Sequence, residues 1–205
     1  MANDAGKIRF APNGGLYLAP APTGETGGTT LPVDVGDGTT APTGYKALGY
    51  IDESGVTITP SIETNPVPVW QSAVPVLYNV QSAAFQIKAT LMETNQLTTE
   101  LFFGAEWKEV LGADSTPTGI YRLDLSSTPE LREFSLVVDW SQKGVKSRCV
   151  IARAMISDRG AIQLQRQENA KFELTIDALD HQGGLGYVLT DDDILTPSPA
   201  GTLIS

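Results

Sequence analysis

The stretch LMETNQLTTELFFG, Leu91 to Gly104, is the one amphipathic helix signal in this chain of 205 residues, and its reading decides the fold class. Thr94 or Asn95 can cap the N-terminus, because their side chains accept from backbone N–H groups that the first turn leaves unpaired. Leu97 and Leu101 lie one turn apart and share a face with Phe102 or Phe103. Gly104 suits the position just past the C-terminus, where a left-handed residue closes the last turn. The spacing predicts a helix over 94–103 of about three turns, too short to stand alone in water. It must dock on something, and Leu97, Leu101 and Phe103 are the expected docking residues.

Working outward, the flanking segments alternate with period two, the signature of strands with one buried and one wet face. Before the helix, Phe85, Ile87, Ala89 and Leu91 oppose Gln86, Lys88 and Thr90. After it, Asn169–Leu179 sets Phe172, Leu174 and Ile176 against Glu173, Thr175 and Asp177. Glu133–Trp140 and Val145–Ile156 read as a hairpin closed at Ser141–Gly144, with Ser135, Asp139, Lys146 and Arg148 on its polar sides. Further strands are expected at Tyr45–Ile51, Val56–Thr59, Val76–Val80, Gly119–Leu125 and Ala161–Arg166, with turns at Asp52–Gly55 and Ser157–Gly160 and a loop over Ala105–Thr118. Pro66, Pro68 and Pro75 cannot donate to a sheet ladder, so their segment belongs to an edge or a loop, with Trp70 as the anchor that pins it to the body. Pro20–Gly44 is mostly Gly, Pro and Thr and reads as a loop or an arm that orders against a partner. The expectation is a mainly β protein, an antiparallel β-sandwich or partial barrel with one flanking helix. Its organisation is an N-terminal arm and loop (1–44), a β-sandwich domain (45–189) and a C-terminal arm (190–205).

Little in the sequence points to chemistry. The net charge of −10 argues against a general nucleic-acid binder, which clusters Lys and Arg to displace counterions from phosphates. The one histidine, His181, lies in the Gly-rich turn DHQGGLG, which lacks the spacing of a phosphate loop. The one cysteine, Cys149, reads as a small apolar residue on a strand. Asp191–Asp193 lacks the spacing and glycine of a calcium loop. Glu93 with Glu100, and Asp52 with Glu53, read as surface charge. No catalytic residue, metal site or cofactor is expected. MANDAGKIRF has no apolar run behind its charges, and no stretch approaches the ~20 apolar residues of a membrane span, so folding in a cytoplasm is expected.

The order of motifs is more informative. Leu48-Gly49-Tyr50, then Asp52 and Glu53, then Gly55-Val56-Thr57, then Trp70-Gln71, resembles the major tail tube proteins of siphophages, particularly those of actinobacteria. FQIKATLMETNQLTTELFFG (Phe85–Gly104) and APNGGLYLAP (Ala11–Pro20) resemble the same family. The chain departs from the pattern in Pro66-Val67-Pro68-Val69, where relatives carry a more charged strand, and in a longer Thr23–Gly44 loop.

The resemblance implies a non-enzymatic virion protein, assembled in the host cytoplasm. Its copies form hexameric rings that stack into a tail tube. The tube holds the tape-measure protein and then conducts DNA without reading its sequence. Tail terminator and baseplate or distal tail proteins close its ends. Within that picture Gln86, Lys88, Thr90, Glu173, Thr175 and Asp177 are candidates for the lumen face. Pro66, Pro68 and Trp70 mark a candidate inter-subunit loop. Two other readings stand beside it. One is a head–tail connector or terminator that forms single rings. The other is a carbohydrate-binding β-sandwich, with Tyr50, Trp70 and Trp107 stacking on sugars.

Overall fold

Ten strands and one α-helix make up the described residues, 5–22, 28–128 and 131–193 of a computed structural model. After a 3₁₀ turn at Ala5–Lys7 come β1 (Asn13–Pro20), β2 (Lys46–Ala47), β3 (Ile51–Val69), β4 (Ser72–Leu91) and α1 (Gln96–Phe103). Then follow β5 (Trp107–Leu111), β6 (Pro117–Leu123), β7 (Phe134–Gln142), β8 (Val145–Arg159), β9 (Phe172–Leu179) and β10 (Tyr187–Thr190).

All strand pairs are antiparallel. The main sheet runs β2-β1-β7-β8-β9-β4-β3, and β5 and β6 form a separate ribbon. β8 is long enough to serve two partners on one edge: β10 pairs with Ser147–Val150 and β9 takes over from Arg153. A two-residue turn, Lys143-Gly144, joins β7 to β8 with positive φ at both residues (50° and 89°), as such hairpins require.

The sheet is open, not a closed barrel, and it buries residues on both faces. One face carries the main core. Leu16 of β1, Leu136 and Val138 of β7, Ile151 of β8, Leu174 and Ile176 of β9 and Ile87 of β4 share one cluster. Residues from nearly every strand of one sheet can meet only if the sheet curls around them. The other face carries a smaller cluster of Tyr17, Ala19, Tyr45, Val137 and Val150, covered by Leu31 and Ala41.

Several expectations change. The polar sides of β7 and β8 are not wet: Ser135, Asp139 and Arg148 are buried beneath the chain from 28 to 45. That chain orders against the molecule's own sheet. Tyr187 Oη donates to Pro32 O (2.6 Å), Ser141 Oγ donates to Asp37 O (2.9 Å), and Tyr45 and Ser135 share a hydroxyl bond of 2.7 Å. Residues 23–27 of the expected loop, and 194–205 of the expected C-terminal arm, lie outside the described residues. The span 1–44, read as arm and loop, supplies β1 to the sheet. Asp52–Gly55 is a bulge within β3, where the pairing slips between Ile51 and Val56. The segments expected at 76–80 and 82–91 are one strand, β4, and the loop expected over Ala105–Thr118 contains β5. Ala161–Arg166 forms no strand and lies in the connection between β8 and β9.

Candidate assembly surfaces

The helix stands as a brace for the main core. Asn95 caps it, its Oδ1 accepting from Thr98 N (2.9 Å). Gly104 ends it in the left-handed conformation (φ 68°), its N–H donating to Glu100 O at 2.8 Å. The fully docked face is Thr98, Thr99 and Phe102. Phe102 is 8% exposed and meets Phe172 edge-on at 5.4 Å, whereas Phe103 is 38% exposed. Thr98 and Phe102 are four residues apart and share a face; Phe103 is turned about 100° away. Leu97 and Leu101 flank that face, partly buried against the core.

The prolines do not make a loop. β3 and β4 form a long hairpin whose outer part leaves the body, and from Thr59 to Pro68 and Ala73 to Ala84 every residue is exposed. Pro66 pairs with Tyr78 and Val67 with Leu77. Prolines are tolerated here because β3 is an edge strand whose outer side needs no donors. At about 3.3 Å per residue the exposed part reaches up to about 30 Å. Trp70 sits in its two-residue tip, 99% exposed, so it pins nothing to the body. Val74, Val76, Tyr78 and Val80 alternate along one face of β4, opposite Thr64 and Pro66, and all four are exposed.

The six polar residues singled out on β4 and β9 come together. Gln86 pairs with Asp177, Lys88 with Thr175 and Thr90 with Glu173, so all six share one face. Gln86 Nε2 donates to Asp177 Oδ1 at 2.9 Å, and Lys88 forms an ion pair with Glu173. Glu173 raises the Lys88 pKa above its ordinary value. This face lies opposite the main core, because Ile87, Ala89, Leu174 and Ile176 alternate with it into that core.

One buried group escaped sequence reading. Arg148, 3% exposed, donates through Nε and Nη2 to both oxygens of Asp139 (2.7 and 2.9 Å). Its Nη1 reaches Asp34 Oδ1 (2.5 Å) and Asp34 O (3.2 Å), which fastens the chain over 28–45 to the sheet. The Asp139 carboxylate holds the guanidinium pKa above its usual value, against the opposing effect of burial. A side chain at Gly36 would collide with both partners. The signal was available, since counting outward from Lys143-Gly144 sets Asp139 opposite Arg148.

The remaining candidates are engaged structurally. His181 closes a small turn with Gly184 (2.9 Å). Asp191 accepts from Lys146 N (2.6 Å) and Asp192 pairs with Arg9 (2.7 Å). Trp107 Nε1 donates to Thr99 Oγ1 (2.8 Å), and Trp70 lies at the far end of the hairpin, so these aromatics make no common platform.

An open antiparallel β-sandwich with a braced core, a projecting apolar ribbon and a polar sheet face defines a protein built around its surfaces. The comparison with protein families agrees: the family model described as phage tail tube protein matches residues 1–201, and the chain belongs to that family. It is therefore a structural protein of a phage tail. No curated protein matched the chain.

Proposed function

We propose that copies of this chain close into rings, hexameric as the resemblance implies, and that the rings stack into the tail tube. The observation that carries this reading is the β3–β4 hairpin. A two-stranded ribbon is marginally stable alone, and exposed apolar strands invite association. Val74, Val76, Tyr78 and Val80, all exposed, call for a partner surface, which the next ring supplies. Pro66, Pro68 and Trp70 then lie at the contact between rings. The polar face of Gln86, Lys88, Thr90, Glu173, Thr175 and Asp177 lines the lumen. With one cation against two carboxylates it offers DNA no basic track, which suits passage of a polymer bearing about one charge per 1.7 Å. The tape-measure protein occupies the lumen first, terminator and distal proteins close the ends, and assembly takes place in the host cytoplasm.

Electron microscopy of the purified protein tests the proposal. Wild-type protein is expected to form hollow tubes. A variant with residues 64–80 replaced by a short turn is expected to keep the subunit fold and lose stacking. Single wild-type rings that never stack would favour the connector reading instead. A compact monomer under all conditions, absent from virion tails, would overturn the proposal.

A further inference from the structure

The two ends of the curled sheet face one another across an open seam. A groove of about 620 Å³ lies there, lined among others by Gly14, Gly15, Asp52, Ser54, Val56 and Trp140. β2 covers β1 only at Tyr17 and Leu18, so Asn13–Gly15 presents an edge with no strand partner among the described residues. β3 is the far end of the sheet, and its Asp52–Gly55 bulge is out of register with β4. The floor is apolar, since Val56, Ile58, Val138 and Trp140 all belong to or pack against the main core. The rim is acidic. Asp52 is held by Lys171 (2.6 Å), while Glu53 is exposed and makes no ion pair among the described residues.

A surface of matching character lies beside the β7–β8 turn. Ile8 and Phe10 are 61% and 67% exposed. The segment that carries them is tied to the body: Arg9 pairs with Asp192 (2.7 Å) and Phe10 N donates to Gln142 Oε1 (2.7 Å). Lys7 and Lys143 flank them, both exposed and without ion pairs among the described residues. In a chain with 24 acidic and 14 basic residues, a paired apolar knob with two free cations is complementary to an apolar groove with an acidic rim.

We infer that the Ile8–Phe10 knob of one copy docks in the β1–β3 seam of a second copy, with Ile8 and Phe10 on the Val56–Trp140 floor and Lys7 against Glu53. The inference rests on the self-assembly proposed above and names one of its contacts. Docking covers the β1 edge at Asn13–Gly15 and the β3 bulge, which are otherwise open to non-specific pairing among the described residues. It also removes two large apolar side chains from water on a segment already tied to the body through Arg9 and Phe10, which lowers the ordering entropy that opposes it.

Mixed assembly tests this contact. Ile8→Cys copies and Ser54→Cys copies, oxidised together, are expected to give a cross-linked heterodimer that neither variant gives alone. Lys7→Glu and Glu53→Lys are each expected to lower the assembled fraction by about tenfold, and the pair combined to restore it. Tubes that form with no mixed cross-link, or single charge reversals without effect, overturn the inference and leave the tube reading standing. A mixed cross-link without tubes supports the contact and removes the tube reading. Absence of both overturns both.

Discussion

Arg148 shows how much one residue can organise. It lies on a strand face that alternation assigns to water, yet it joins β7, β8 and the chain over 28–45 through two carboxylates. Arg148→Met leaves Asp139 buried and unpaired, so a loss of about 3–5 kcal/mol in urea unfolding of the subunit is expected. Combining it with Asp139→Leu removes the orphaned charge, and most of that loss is expected to return. The next residue illustrates burial acting alone. Cys149 faces the main core, and desolvation pushes its thiol up to about 11. At pH 8 the native thiol is therefore expected to resist an aromatic disulfide reagent and to react once urea unfolds the chain. Prompt reaction of the native protein would mean that the core opens there.

At the scale of elements, helix and hairpin face opposite demands. α1 is short, and its stability comes from Phe102 and the two threonines seated on the sheet. Phe102→Ala is expected to cost about 3–5 kcal/mol and Phe103→Ala well under half of that, both read by denaturant unfolding. Equal losses would mean that the outer phenylalanine also bears on the fold. The β3–β4 hairpin has no such support along its outer half, and its bulges at Asp52–Gly55 and between Glu63 and Thr64 let it bend away from the body. The smaller β5–β6 ribbon is tied back through Trp107, whose indole reaches Thr99 and whose backbone N–H reaches Glu100 Oε1 at 3.1 Å.

For the whole molecule, the two faces of the sheet have different fates. One face wraps the main core under α1. The other is covered over β1, β7 and β8 and left open over β4 and β9, where the six polar residues gather. Cysteines at Gln86 and Thr175 are expected to react with a bulky maleimide in the free subunit and to be protected in assembled tubes. Labelling at equal rates in both states would place the lumen elsewhere.

The sequence by itself determined the mainly β class, the capped helix ending at Gly104, the Lys143-Gly144 hairpin and the polar faces of β4 and β9. Each of these rests on local chemistry: a side chain capping its own backbone, a left-handed glycine, an alternation within one strand. The order of its motifs also pointed to the family. Tertiary structure alone decided which faces meet water. Whether Ser135, Asp139 and Arg148 are wet depends on where the chain over 28–45 settles, and nothing in their own strands records that. Whether prolines make a loop or an edge strand depends on which neighbour β3 lacks. Trp70 looked like an anchor because aromatic residues are usually buried. It is exposed because the hairpin that carries it leaves the body altogether, and only the paired register of β3 with β4 reveals that.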